Sequence, residues 1–335
     1  MSRSTVTVVI CAYTLERWDD LCASISSAAR QSPAPDEILL VVDHNDALLQ
    51  RAQGEVLPGQ PLLRVLANRR KQGLSGARNT ALEDVSADIV VFLDDDASAE
   101  PGWLAALLSH YERDEVIAVG GVATPRWPVG HDRPVTLPVA GPGERGELDW
   151  IVGCTYAGQP KTPHVVRNLM GCNMSFRRYV FATTGGFSED LGRVGKTPLG
   201  AEETELCIRA RRAHPGTEII FEPGARVSHR VSADRLTWKY LRRRCFAEGL
   251  SKAAVSRLVG QEQALETERT YTLRVLPRGV RRELGRAVGG SSRRRRDLAG
   301  AAAIVLALAE TVLGYARARV TRTTLSGSAP RLELT

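Results

Sequence analysis

Apolar positions in the first third of the chain fall in short unbroken runs rather than in strict alternation. Val6–Ile10, Glu37–Val42, Leu62–Ala67, Ile89–Leu93 and Val116–Val122 are such runs, rich in Val, Ile and Leu. Runs that are apolar at successive positions predict strands buried on both faces. Between them Trp18–Ala29, Ser75–Asp84 and Pro101–Arg113 read as helices, the last opening on a proline, whose fixed φ suits a helix N-terminus. This alternation predicts an α/β fold with a mostly parallel central sheet and helices on both faces. Such sheets bind ligands beyond the carboxyl ends of their strands. The residues just after each run therefore carry the functional question.

The pattern changes after Val122. Ala123–Pro163 is rich in Pro and Gly, with little periodicity. It reads as a long excursion covering the site, because loops of that length are usually functional. Regular structure resumes near Leu169–Phe176. A helix at Glu203–Arg212, a strand at Glu218–Phe221 and a short strand ending at His229 follow. Leu236–Leu258 reads as a helix, strongly basic on one side. Arg293–Arg296 then precedes Leu298–Tyr315, which is apolar except for Glu310. That stretch is marginal in length for a membrane span. Its many alanines, Glu310 and the arginine collar better fit a helix lying in a membrane interface or packed on protein. The expected division is a catalytic domain at 1–235, with halves 1–122 and 123–235, and a basic helical region at 236–335 whose interface segment is 298–316.

Charge sharpens the reading of the tail. From Trp238 onward 20 Lys and Arg face 8 Asp and Glu, whereas the preceding residues carry 25 against 30. A basic tail on an acidic body predicts contact with an anionic membrane surface and no nucleic acid. The six cysteines show no Cys-x-x-Cys spacing and read as reduced, buried thiols rather than zinc or redox ligands. The first strand starts almost at Met1 and leaves no room for a signal peptide. The expected location is the cytoplasm, or the periphery of the cytoplasmic membrane face.

The strongest chemistry lies in Phe92–Asp96. Three carboxylates, Asp94, Asp95 and Asp96, repel one another at the end of a buried strand unless a cation is present. Alternation in extended backbone puts Asp94 and Asp96 on one side and Asp95 on the other. Mg²⁺ and Mn²⁺ prefer oxygen ligands and bridge carboxylates to diphosphates. The competing reading is a solvated acidic turn capping the next helix. Ala12, Tyr13 and Glu16 follow the first strand, where they suit stacking on and hydrogen bonding to a base. Asp43 ends the second strand and could bind a ribose or a base. Gly73–Asn79 opens a helix on a glycine-bearing turn, so backbone N–H groups can face an anion. Arg78 within it could pair with a phosphate or with the aspartates.

In order along the chain, these pieces resemble family 2 glycosyltransferases of the GT-A, Rossmann-like fold. The matching residues are the Val-Val-Ile-x-Ala-Tyr opening, Asp43, Gly-Leu-Ser-Gly-Ala-Arg-Asn and Phe-Leu-Asp-Asp-Asp. Gly171–Arg178, Gly185-Gly186-Phe187, Glu202–Leu206 and Val227-Ser228-His229 follow, and the likeness covers roughly 5–260. It implies inverting transfer of a sugar from a nucleoside diphosphate sugar, UDP foremost, to an acceptor hydroxyl, with Mg²⁺ or Mn²⁺. It also implies Asp96, Asp94 and His229 as metal ligands. Ala12, Tyr13, Glu16, Asp43, Gly73, Arg78, Asp94 and Asp95 would surround the donor nucleotide. Gly171, Cys172, Asn173 and Met174 would form the donor-sugar and acceptor wall. Glu202-Glu203 stands where the family carries Glu-Asp, whose second acid is the general base. Glu203 is one methylene longer than that Asp, so Glu202 and Glu205 compete for the role. A lipid-linked glycan, a polysaccharide and a small natural product all remain open as acceptor, as does the oligomeric state. A sugar nucleotidyltransferase would carry a Gly-rich loop after the first strand, where Cys11–Leu15 has no glycine. A non-catalytic membrane-surface protein would leave the triple aspartate unexplained.

Overall fold

The computed structural model describes residues 3–56, 62–192, 200–260, 268–289 and 293–320. Their strands are β1 (Val6–Ala12), β2 (Glu37–Val42), β3 (Leu63–Ala67), β4 (Ile89–Asp94), β5 (Ala97–Ala99), β6 (Val116–Arg126), β7 (His164–Val165), β8 (Asn173–Arg177) and β9 (Glu218–Arg230). They form one sheet in the order β3-β2-β1-β4-β8-β6-β9-β5, with β7 beside β9. β3, β2, β1 and β4 run parallel, as the unbroken apolar runs predict. β8 lies antiparallel between β4 and β6. The chain leaves β6 at its carboxyl end without a crossover helix, and returns into β8 from that end, so the strand runs backward.

Helices α1 (Trp18–Ala29), α2 (Asp46–Arg51), α3 (Leu74–Asp84), α4 (Trp103–Leu108), α5 (Tyr179–Thr184) and α6 (Glu202–Ala213) cover the sheet. Alternate residues of β1 feed two cores. Val6, Val8 and Ile10 pack with Leu21, Ile25, Trp103 and Leu104. Val9 faces Ala77, Leu82, Phe92, Phe181 and Phe187 on the other side. Two-sided burial is why these strands lack polar alternation.

The expected helix Pro101–Arg113 shortens to α4 plus a 3₁₀ turn at Ser109–Glu112. Gly102 takes a left-handed φ of 83°, which puts Pro101 in the preceding turn. The two strands expected at 218–221 and up to 229 are one strand, β9. Pro223 and Gly224 look like a break but sit in a bulge, where the register with β6 slips between Gly121 and Val122.

The C-terminal helices are α7 (Trp238–Val259), α8 (Leu276–Val288) and α9 (Arg294–Val320). Leu241, Cys245, Leu276, Ile304 and Ala307 from these helices share a third core with Leu137, Leu148, Ile151 and Cys154 of the excursion. The excursion thus leans on helices beyond residue 235. α7 and α9 cross at glycine. A Cβ on Gly249 would lie 2.1 Å from the Thr311 carbonyl oxygen, and one on Gly314 equally close to that of Phe246. One face of α9 is buried by this packing. Leu298, Val305, Val312 and Leu313 on its other face are exposed.

Candidate active site

Strand β4 delivers Asp94 to the edge of a cavity, and the turn after it holds Asp95 and Asp96. β9 brings His229 alongside, paired through β5. One ligand atom from each of Asp94, Asp96 and His229 falls within 4.8 Å of the others. His229 Nε2 lies 3.3 Å from Asp96 Oδ1 and 4.0 Å from Asp94 Oδ2. Gly153, at φ 82°, makes room for the imidazole, since a Cβ there would stand 3.0 Å from His229 Cε1. Two carboxylate oxygens and an imidazole nitrogen suit a divalent cation such as Mn²⁺, which accepts both donor types.

Arg17 sets the orientation of the other two aspartate oxygens. Its Nη1 donates to Asp95 Oδ1 at 2.6 Å and to Asp96 Oδ2 at 2.8 Å. Asp96 Oδ1 is thereby turned toward His229. Burial opposes ionisation of Asp96, but His229 and Arg17 outweigh it and hold this carboxyl far below the usual range. Burial, and then the charge of Asp96, raise Asp95 well above that range. Asp95 is turned away from His229 toward Arg17.

Arg78 lies fully inside, not on a solvated helix face. Its Nη1 donates to Glu202 Oε1 at 3.1 Å and its Nη2 to the Gly171 carbonyl at 2.8 Å, with Asp94 Oδ1 at 3.5 Å. Phe187 and Phe92 flank the guanidinium at 5.1 and 5.7 Å. A side chain at position 171 would press on Arg78 at 3.1 Å. Burial of this cation is offset first by Glu202 and then by Asp94.

The three acids at the start of α6 divide. Glu202 is buried and paired with Arg78. Glu205 is buried and held by Arg209 through Nε at 2.5 Å and Nη2 at 2.7 Å. Glu203 has no ion pair within 4.0 Å among the described residues and faces the cavity. Burial, and after it the charge of Glu202, pushes Glu203 up to about 8. Ala201 ahead of them adopts φ 75°, a left-handed conformation costly for a residue with a Cβ.

The cavity measures about 440 Å³ and is lined by Arg78, Asp94, Gly171, Cys172, Glu203 and His229, among others. Asn173 and Met174, expected in its wall, do not reach it. β8 begins at Asn173 and carries both into the sheet, where each is fully buried. Asn173 accepts from Trp103 Nε1 at 2.8 Å and donates to the carbonyls of Ala225 and Val122 at 2.9 and 3.1 Å, tying down the β9 bulge.

Ala12, Tyr13, Glu16, Asp43 and Gly73 lie at the neighbouring ends of β1, β2 and α3, outside this cavity's lining. Asp43 is largely engaged by protein: it accepts from Asn68 Nδ2 at 2.6 Å and the Gly73 N–H at 3.0 Å, with His44 Nδ1 at 2.9 Å. Tyr13 is exposed, with Arg17 over its ring at 4.8 Å. Glu16 is exposed beside it.

Sequence reasoning missed the orienting role of Arg17 and the far wall of the cavity. That wall holds Trp150, Tyr156 and Tyr271, and the charged set Arg167, Arg244, Glu248, Lys252 and Glu268. It is assembled from the excursion, α7 and the C-terminal helices, with no local motif to announce it.

Residues 7–185 match the family model described as glycosyl transferase family 2. A glucosyl-dolichyl phosphate glucuronosyltransferase of Haloferax volcanii is 33% identical over 257 residues, covering 76% of this chain and 79% of that protein. The succinoglycan biosynthesis protein ExoM of Rhizobium meliloti is 28% identical, covering 73% and 72% of the two chains. Among solved structures, a mannosyltransferase from Pyrobaculum calidifontis in complex with GDP-Man and Mn²⁺ superposes with a TM-score of 0.56. It is 18% identical, with 98% of this chain and 89% of that one covered, a likeness of fold.

Proposed function

The chain belongs to the family 2 glycosyltransferases, and on that premise we propose that it transfers a sugar, with inversion, from a nucleoside diphosphate carrier to an acceptor hydroxyl. It is a glycosyltransferase of GT-A fold. The observation that carries the finer reading is the grouping of Asp94, Asp96 and His229, with Asp94 and His229 lining a cavity that also holds Glu203, which has no ion pair among the described residues.

Asp96, Asp94 and His229 would hold Mg²⁺ or Mn²⁺, which when bound neutralises charge on the departing diphosphate. Ala12, Tyr13, Glu16, Asp43 and Gly73 would receive the nucleotide, UDP by preference, with Asp95 fixed behind the site by Arg17. Arg78 holds Glu202 and Asp94 in register between donor and acceptor sides. Gly171 and Cys172 line the cavity where the sugar and acceptor meet. Glu203 takes the proton of the acceptor hydroxyl as it attacks the anomeric carbon. Attack opposite the leaving group inverts that centre.

The acceptor proposed is a lipid-linked glycan. The Haloferax relative is named for a dolichyl phosphate glycolipid, and Leu276, Leu308, Val312 and Tyr315 give the cavity an apolar rim. The basic tail and the exposed face of α9 would bring the enzyme to the cytoplasmic face of an anionic membrane. The helices beyond residue 235 would thus serve both sides, facing the membrane and lining the cavity.

Thermal stabilisation by a panel of nucleotide sugars with Mn²⁺ identifies the donor, since a bound ligand raises apparent stability. Transfer is expected to stop with EDTA and to return with Mn²⁺. Asp96→Ala is expected to lose transfer and metal-dependent donor binding together. Full transfer by this variant, or by enzyme held in EDTA, would exclude the metal site.

A further inference from the structure

A second groove, of about 1150 Å³, shares no lining residue with the catalytic cavity. It runs between the excursion and the first turns of α9. Seven of its lining residues are Arg or Lys and four are Asp or Glu. Most of the acids are spent within the protein. Arg133 binds Asp149 through Nη2 at 3.0 Å, Arg286 binds Glu283 at 3.2 Å, and Lys161 binds Glu144 at 3.2 Å.

Arg145 has no such partner. Its Nη1 donates to the carbonyls of Pro160 and Gln159 at 2.8 and 3.3 Å, and its guanidinium lies over Phe221 at 5.8 Å. No carboxylate stands within 4.0 Å of it among the described residues. Burial and then the neighbouring charge of Arg226, which is itself paired with Glu100 at 3.2 Å, disfavour its cationic form, with Glu144 opposing them. A half-buried guanidinium beside a like charge is relieved by an anion, and its planar donors fit phosphate oxygens.

The groove also meets an apolar surface. Arg293, just before α9, and Arg296, Asp297 and Gly300 within it line it. Leu298, next to them, begins a stripe of exposed side chains that continues through Val305 and Val312, two helical turns apart each time. An anion pocket at the head of an apolar stripe has the layout of a headgroup above its acyl chain.

We propose that this groove binds the phosphate headgroup of an anionic phospholipid and so seats α9 on the bilayer. The proposal rests on the reading of the tail as membrane-facing. Arg145 and Arg296 receive the phosphate, and the stripe from Leu298 to Val312 lies against the acyl region. Val312 also lines the catalytic cavity, so this seating brings the cavity mouth to the bilayer surface.

The test is co-sedimentation of the full chain with vesicles of phosphatidylcholine, alone or mixed with phosphatidylglycerol. Wild type is expected to bind the mixed vesicles and not the neutral ones. Arg145→Gln, which keeps a donor for the two carbonyls, is expected to weaken binding about five-fold, and Arg296→Gln, on an exposed residue, by a similar factor. Arg113→Gln makes the same charge change at the far end of β6 and is expected to bind as wild type. Thermal melts of each variant establish that it is folded, and if Arg145→Gln is not, Arg296→Gln carries the test. Undiminished binding by the folded variants overturns the groove but leaves the membrane-facing tail intact. Equal weakening in Arg113→Gln reduces the effect to net charge and overturns the groove as well. Displacement of wild type from vesicles by inorganic phosphate would identify a free-anion site instead of a lipid site. Failure of wild type to bind either vesicle overturns both this proposal and the reading of the tail.

Discussion

Glu202 and Glu203 are neighbours in sequence with different electrostatic fates. Glu202 is locked to Arg78, whereas Glu203 has no ion pair among the described residues and is pushed up to about 8. A base must be deprotonated to act, so kcat/KM in the free enzyme is expected to rise as pH climbs toward and through about 8, well above an ordinary carboxylate. Glu203→Gln is expected to keep donor binding and lose at least a hundred-fold in turnover, on the order of what positioned bases contribute. A pH profile already flat above 6 in wild type, or turnover lost instead in Glu202→Gln with Glu203→Gln active, would move the base. The raised value has a cost for folding: the charged form is disfavoured in the native state, so this residue destabilises as pH rises from 4.5 toward 8. The candidate site was partly legible in residue types alone, because adjacent carboxylates at a strand end point to a cation, and two of the three, Asp94 and Asp96, stand with His229 where one could be held. The choice among Glu202, Glu203 and Glu205 was not, since it depends on which acids Arg78 and Arg209 reach. The place of Asn173, outside the cavity's lining, was not legible for a similar reason. Its side chain answers to the backbone of the β9 bulge, fifty residues away in sequence, and not to its own motif.

At the scale of elements, the fold was most legible where burial is two-sided. The apolar runs of β1, β2 and β4 carry their assignment within themselves, whereas β3, at the sheet edge, is buried only at Leu63. Reversal of β8 and continuity of β9 depend on where the excursion returns and on a bulge, neither of which leaves a periodic trace. The α7–α9 crossing is another feature read only in three dimensions. Gly249 and Gly314 look like weak points in helices, yet each lets the opposite backbone approach too closely for any Cβ. Gly249→Ala is therefore expected to destabilise the protein by about 1–3 kcal/mol, the usual cost of overpacking, although alanine is the better helix former. Because Leu308, Thr311 and Val312 of α9 line the catalytic cavity, the same change is expected to raise KM for the acceptor more than for the donor. Thermal melts and steady-state kinetics check both expectations. A more stable Gly249→Ala would show that helix propensity, and not the close crossing, governs this contact.

At the scale of the whole molecule, the segment after β7, α7 and the segment before α8 are joined by one chain of charges. Arg167 binds Glu268 through both Nη atoms at 2.8 and 2.9 Å, Lys252 binds Glu268 at 2.8 Å and Glu248 at 3.1 Å, and Arg244 binds Glu248 at 2.8 Å. Burial opposes ionisation of both acids, but Lys252 foremost, with Arg244 for Glu248 and Arg167 for Glu268, holds each down at about 2. Both pKa values are depressed, so the stability they confer is fully present above the ordinary value of 4.5 and is lost as pH falls toward 2. Lys252→Met removes the cation the two acids share. It is expected to cost about 3 kcal/mol at neutral pH, the lower end for breaking a buried pair, because these groups keep some contact with solvent. It should also move the acid limb of the stability curve to higher pH, since both acids then protonate more readily. Lys161→Met breaks the exposed pair with Glu144 and is expected to change stability by less than about 0.5 kcal/mol. Calorimetric melting of the three proteins between pH 3 and 7 separates these outcomes. If Lys252→Met melts as wild type across that range, the charge chain contributes nothing to holding the C-terminal helices over the cavity, and their apolar core alone must do so.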